Sequence, residues 1–442
     1  MPFARNFGRC ILLLLASCEA KYIFHRQRNY TGLEHSGFAV LSDVLPGSLL
    51  LTRFGAAPFV GQSEVTLLNL TSGEHTAMAT TIDWPNVPTV VDESAFGFKA
   101  ALVGAGFIVP SHTLGGIWII ELSEQPRVLK EGPVKVTADK KHSPYPDSGW
   151  FYHKAHLVDM NNDGRLDILT SRCEDSVEPW NPKGAELVWL EQPAHGALDG
   201  TPWREHVIMQ GPDFLFEVAP AELSGTGMLG VCAAEYLAKR LVYIEGSTTT
   251  GFRSRVVDAD LGPGFSCRFA DLNGDGRMDL IATNHLNKNG SVFAYSWEGS
   301  LIDSSTVVER HVLASGYSAT STEMGKASPG DAIPFFPRVK NTASKPLIAV
   351  SADNGNYLDV LIPEAPHDPS DWTYRAQFVE YVGADVGRMA IGDTDGDGMV
   401  EIFVPAYDLG QVVQYKIEEV AEEAPSRDAG SAAGRDDVQI LV

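Results

Sequence analysis

Asp159, Asn161, Asp163, Arg165 and Asp167 form a pattern that recurs at Asp271, Asn273, Asp275, Arg277 and Asp279, and again at Asp393, Asp395, Asp397, Met399 and Glu401. Each stretch puts oxygen-bearing side chains at positions 1, 3, 5 and 9 and glycine at position 6, as Gly164, Gly276 and Gly398. This is chemistry for a hard cation. Calcium takes about six to eight oxygens at roughly 2.3–2.6 Å, and a short loop can curl its odd-numbered carboxylates and amides around it. Glycine permits the sharp turn, after which the carbonyl of residue 7 (Arg165, Arg277 or Met399) can face the ion. Magnesium fits less well because it prefers to keep its waters. Without a cation, the carboxylates crowded into each loop would repel one another. Three calcium ions are therefore expected.

These loops are not EF-hands. That motif needs a glutamate at position 12, where this chain has Thr170, Ala282 and Val404, and it needs flanking helices. The flanks here are short β-type runs at 155–158 and 166–170, 278–283 and 400–405. A loop between two strands, closed by a carboxylate at the start of the second, is a different device. On these residues the chain resembles the FG-GAP/VCBS repeat family, whose calcium loops also occur in integrin α-subunit propellers. The resemblance implies a β-propeller whose blades are stiffened by calcium and whose ligands are met at a face of the ring or in its channel. It brings no single activity with it, although some lyases and dehydratases acting on sugars are similar in using calcium-loaded propellers.

Repeats should persist where the ligands have been lost. After each loop come a strand, a polar turn and a second strand with a central aromatic, at 185–191 (AELVWLE), 290–297 (GSVFAYSW) and 410–417 (GQVVQYKI). The same element recurs without a good loop at 116–122, 240–246, 357–363 and 63–70, which makes seven. A third strand follows at 203–209, 252–258, 309–314 and 374–381, and an aromatic strand leads into the next loop at 150–153, 214–218, 265–269 and 335–339. Residues 222–227 read as a degenerate loop that keeps its turn glycine, Gly227, without the carboxylates. The expected fold is an all-β, seven-bladed β-propeller of four-stranded blades over residues 21–417. The last unit runs out of chain, so the β-rich stretch 21–27 (KYIFHRQ) is expected to pair with the last blade and seal the ring. Residues 418–442 are rich in Glu, Ala, Ser, Gly and Asp and read as a disordered acidic tail.

The far end of the strand after each loop carries a polar residue in every unit: Arg53, His112, Arg172, Glu235, His285, Asp353 and Tyr407, with Asn284 and Asp408 beside them. As a ring at one mouth these could bind a sugar or small anion through charge-assisted bonds; as plain strand ends they would be wet turns. For catalysis the chain offers no Gly-x-Ser-x-Gly elbow, phosphate-cradling glycine loop or His-Glu-x-x-His helix, so no catalytic residue is assigned. His153, His156 and His285 share no metal-type spacing with a carboxylate.

The 442 residues carry a net charge of −23, which disfavours nucleic acid and anionic membrane surfaces as partners. A 44% hydrophobic content excludes disorder over most of the length. Arg5 and Arg9 precede the apolar run 10–18, too short to span a bilayer, so residues 1–20 read as a signal peptide. A lipid anchor at Cys18 is the alternative. Sequons stand at Asn29, Asn69 and Asn289, and of Cys173, Cys232 and Cys267 at most two can pair. The expectation is a secreted, monomeric, calcium-binding module for carbohydrate or an extracellular protein. The alternative is a carbohydrate-active lyase or dehydratase.

Overall fold

The computed structural model describes residues 20–55, 63–107, 115–139, 149–174, 184–211, 213, 215–224, 227–323, 325–340 and 342–421. The body Arg26–Lys416 carries seven antiparallel four-stranded sheets arranged as a ring, the seven-bladed β-propeller expected from the repeats. From the channel outward, blade one is Ser36–Leu41, Ser48–Arg53, Glu64–Asn69 and His75–Ala79. Blade two is Pro85–Val91, Ala100–Ala105, Gly116–Glu121 and Val134–Lys135. Blade three is Trp150–Val158, Asp167–Glu174, Ala185–Glu191 and Arg204–Gly211. Blade four is Leu215–Val218, Leu229–Glu235, Arg240–Ser247 and Gly251–Asp258. Blade five is Gly264–Ala270, Asp279–Asn284, Gly290–Trp297 and Val308–Tyr317. Blade six is Ala332–Phe335, Leu347–Ser351, Tyr357–Pro363 and Tyr374–Tyr381. Blade seven is Ala390–Gly392, Glu401–Ala406 and Gln411–Ala421, and its outermost strand is the N-terminal Ala20–Thr31.

The second strands read as unbroken apolar runs because both faces are covered. Side chains alternate across a strand, so each face of a sandwiched blade needs its own hydrophobic set. Leu280 and Ala282 pack with Cys232 and Tyr243 of blade four, while Ile281 between them packs with Ile348 and Leu361 of blade six. In blade one, Leu49 and Leu51 join Phe403 and Val412 of blade seven, and Leu50 joins Ala101 and Val103 of blade two. The outermost strands need less cover: Arg204–Gly211 is half-buried or exposed throughout, and so is Tyr374–Tyr381 after its buried first residue.

The structure departs from the sequence reading at several points. The first strand of blade six is Ala332–Phe335, not 335–339. Pro337 removes a ladder donor, and the stretch beyond Phe335 instead meets the third acidic loop, with Val400 N donating to Pro337 O (3.0 Å) and Val339 N to Gly398 O (3.2 Å). The degenerate loop of blade four is one helical turn, Ala221–Ser224, while 225 and 226 lie outside the described residues. The last strand runs to Ala421, past Glu418 where the tail was expected to begin. Residues 1–19 and 422–442 lie outside the described residues, as does most of the expected signal peptide and tail. A second unit comprises Met1–His25 and Ile417–Val442; in its described part His25 Nε2 lies 2.7 Å from Glu418 Oε2.

Cys232, on the second strand of blade four, and Cys267, on the first strand of blade five, form a disulfide, and Cys173 is buried on the second strand of blade three. The bridge spans 35 residues. On loop-closure grounds, Cys232→Ser is expected to lower unfolding free energy by about 3–4 kcal/mol, measured as a lower urea midpoint that reductant no longer shifts.

Candidate functional site

The three acidic loops adopt one hydrogen-bond pattern. The position-1 carboxylate accepts from the position-6 glycine amide, as Asp159 from Gly164 (2.9 Å), Asp271 from Gly276 (2.8 Å) and Asp393 from Gly398 (3.0 Å). The position-5 carboxylate accepts from the amide of residue 7, Arg165, Arg277 or Met399. The position-9 carboxylate reaches back to the amide of residue 2, as Asp167 to Met160, Asp279 to Leu272 and Glu401 to Thr394. The glycines at position 6 have φ of 84°, 84° and 88°, which side-chain-bearing residues avoid.

The donor set fits a divalent cation. Asp167, Asp279 and Glu401 are buried at 0%, 3% and 0% exposure. Burial, with the charges of Asp275 and Asp271, pushes the Asp279 carboxyl up to about 7. Asp393, Asp395 and Glu401 bring one oxygen each within 4.8 Å of one another. Glu401 Oε1 is buried without a hydrogen-bond partner among the described residues, the kind of orphaned acceptor a bound ion satisfies. Basic side chains already lean on the position-5 carboxylates: Arg165 on Asp163, Arg277 on Asp275 (2.8 Å) and Lys416 on Asp397 (2.7 Å), the last also reaching Asp395 at position 3 (2.6 Å). Two loops are also tied to the next blade through the carbonyl of residue 2. Thr248 Oγ1 donates to Met160 O (2.8 Å) and Tyr374 Oη to Leu272 O (2.9 Å).

The central channel is a cavity of about 550 Å³ lined by all seven blades. Apolar residues such as Val87, Val90, Phe269 and Ile333 form much of its wall. Within it Lys154 Nζ lies 2.5 Å from Glu217 Oε2, and His156 Nε2 lies 3.2 Å from Glu217 Oε1. Arg268 reaches Asp331 at 2.5 Å and Glu217 at 3.9 Å, and Arg388 Nε lies 3.4 Å from Asp331. Burial and the like charge of Arg388 push the Lys154 amine down to about 8, against the pull of Glu217. Burial also lowers His156, which leaves it neutral at pH 7. These groups come from the first strands of blades three to five and from residues just ahead of the first strands of blades six and seven.

The expected mouth ring is only partly assembled. Arg172 turns into its own blade, between Glu186 (2.6 Å) and Glu205 (3.0 Å). Arg53 pairs with Glu64 of its own blade (2.9 Å) and with Glu34 just ahead of it (3.0 Å), and Glu235 pairs with Arg240. His112 lies outside the described residues. His285 and Asp353 do meet across blades five and six at 2.8 Å, beneath Phe265. Asn284 is committed to Leu261 O and Ser291 N, and Asp408 to Asp385 N. Tyr407 joins an arc of rings that was not foreseen: His35, Tyr407, Phe54, Trp84, Phe107 and Phe151 follow one another with centroids 4.9–6.4 Å apart.

No family model matches the chain, nor does any curated protein. What the protein binds must therefore be read from its own side chains. The residues that sequence reasoning missed are the channel charges. Their one signal was a basic or acidic residue inside an otherwise apolar first strand, as in Lys154, Glu217 and Arg268. Among the described residues, no helix is long and apolar enough to cross a membrane.

Proposed function

We propose that this chain is a calcium-stabilised β-propeller that works outside the cell as a rigid binding module for carbohydrate or another extracellular protein. The observation that carries the calcium assignment is the unpartnered, fully buried Glu401 Oε1 beside the Asp393 and Asp395 carboxylates. The side chains at positions 1, 3, 5 and 9, with the carbonyl of residue 7, would hold each ion, and the ion's charge would offset the repulsion among them. Because Met160 and Leu272 tie their loops to the next blade, ion binding would stiffen the junctions between blades as well as the loops.

The Cys232–Cys267 disulfide supports an oxidising compartment. The three sequon asparagines, Asn29, Asn69 and Asn289, are all exposed, as glycosylation requires. The half-buried rings of the aromatic arc, His35, Tyr407, Phe54 and Phe107, offer apolar surface that suits a sugar ring or a protein anchor, with the buried Trp84 and Phe151 packed among them. The test is thermal. EDTA should lower the melting temperature and excess Ca²⁺ restore it, because a ligand that binds only the native state stabilises it by about 2.7 kcal/mol at a hundredfold excess over Kd. Asp395→Ala should blunt the response. If the wild-type transition ignores both EDTA and calcium, the metal assignment is wrong.

A further inference from the structure

We propose that the central channel is a binding site for a small organic monocarboxylate, gripped by Arg388 with Arg268 and Lys154. The site goes beyond the calcium reading, since none of its groups lies in the acidic loops.

Charge comes first. At pH 7 the channel holds three cations, Lys154, Arg268 and Arg388, against two carboxylates, Glu217 and Asp331, so 3 − 2 = +1 with His156 neutral. That excess sits inside a chain whose net charge is −23. A single surplus charge matches a monoanion; a phosphate dianion would leave the cluster negative.

The excess is localised on Arg388. Its guanidinium makes no side-chain hydrogen bond among the described residues, and its contact with Asp331 is the 3.4 Å approach of Nε. Asp331 is already engaged by Arg268 through Nε at 3.3 Å and a terminal nitrogen at 2.5 Å. A guanidinium carries five donors in a planar fork that matches a carboxylate two bonds at a time. Burial, and then the like charge of Arg268, disfavour the charged form of Arg388, so the site lacks the compensation an anion would supply. The side chains are reachable from the channel, with 21% of Arg388, 18% of Arg268 and 12% of Lys154 exposed.

Shape supplies the rest. About 550 Å³ falls within the usual range for small-molecule sites. The wall combines this one polar cluster with Val87, Val90, Phe269, Ile333 and Pro334. An organic acid has a body for that wall and a carboxylate for the fork; a bare inorganic ion would leave the wall unused.

The experiment is calorimetric titration of the full chain at fixed, saturating Ca²⁺, so failure of the calcium reading would show in the thermal test and not here. The probes are D-glucuronate and benzoate, their neutral counterparts D-glucose and benzyl alcohol, and inorganic phosphate. The expected result is one-to-one binding of at least one acid, with its neutral counterpart at least tenfold weaker. Arg388→Gln should weaken the acid at least tenfold, about 1.4 kcal/mol. Asp331 keeps Arg268 in that variant, and Lys154→Met provides a second variant should the first fold poorly. The proposal is overturned if neither acid binds the wild type, if the neutral counterparts or phosphate bind as tightly, or if folded Arg388→Gln titrates like wild type.

Discussion

Asp331→Ala is expected to lower the unfolding free energy by about 3–5 kcal/mol, the range for removing one partner of a buried ion pair. Asp331 is 5% exposed and faces both Arg268 and Arg388. Without it, three cations would share the channel with Glu217 alone, 3 − 1 = +2, in a setting where water screens them poorly. Burial by itself would raise the Asp331 pKa, but the charges of Arg268 and Arg388 outweigh it and hold the carboxyl below its ordinary value. Glu217 behaves alike: against burial, the close approach of His156 and the charges of Lys154 and Arg268 hold it well below. A depressed native pKa means the unfolded chain binds protons first. The contribution of both carboxylates is therefore complete above about pH 4 and is lost as pH falls through their native values. Urea midpoints should drop along that acid limb in the wild type and drop less steeply in Asp331→Asn. Combined with Arg268→Met, Asp331→Ala should cost less than the sum of the single changes, since the pair is then removed together. An unaltered midpoint at pH 7 would show that the channel cluster contributes nothing to stability.

The same cluster shows where sequence reading stops. The blades were legible because one unit recurs: an apolar second strand, a turn, then a third strand that in five of the blades has a central aromatic such as Trp189, Tyr243 or Tyr295. The three acidic loops were legible as one repeated turn because their residues lie within nine consecutive positions, and their backbone bonds repeat as the sequence does. The channel was not legible, because Lys154, Glu217, Arg268, Asp331 and Arg388 come from five blades and meet only after the ring forms. The mouth ring failed for a related reason. A strand-end position sets a residue's height along the channel axis but not where its side chain points. Second strands stand about 4.8 Å outside the first, and Arg172, Arg53 and Glu235 found carboxylate or guanidinium partners on their own blades. His285 met Asp353 because blades five and six bring those two strand ends together.

Closure of the ring should be the second point of large effect. Blade seven is completed by the strand Ala20–Thr31, so residues 26–31 must hold against the rest of the body without covalent help from a neighbouring strand of the same hairpin. Arg28 and Tyr30 provide that hold. Arg28 donates to the carbonyls of Leu70, Thr71 and Ser72 at 2.9–3.0 Å, satisfying the turn that ends the third strand of blade one. Tyr30 is 3% exposed, and its hydroxyl lies within hydrogen-bond distance of Leu70 O (2.9 Å) and of Gln414 Oε1 (3.0 Å) on the strand beside it, its one proton serving either acceptor. Its ring lies in the core shared by Leu49, Leu51, Phe403 and Val412, with the Arg28 guanidinium 4.7 Å above it. Tyr30→Ala should therefore cost about 3–5 kcal/mol, as for other buried aromatics cut to alanine. Arg28→Ala should cost less, because its partners are exposed or half-buried and water can replace the guanidinium. Removing the strand also bares the edge of Gln411–Ala421, and an unpaired edge is a template for another chain. The Tyr30→Ala protein should accordingly lose amide-exchange protection first along 411–416 and show concentration-dependent association by light scattering. If exchange there matches wild type while the urea midpoint still falls, the tyrosine acts as core filling, and the N-terminal strand is not what locks the ring.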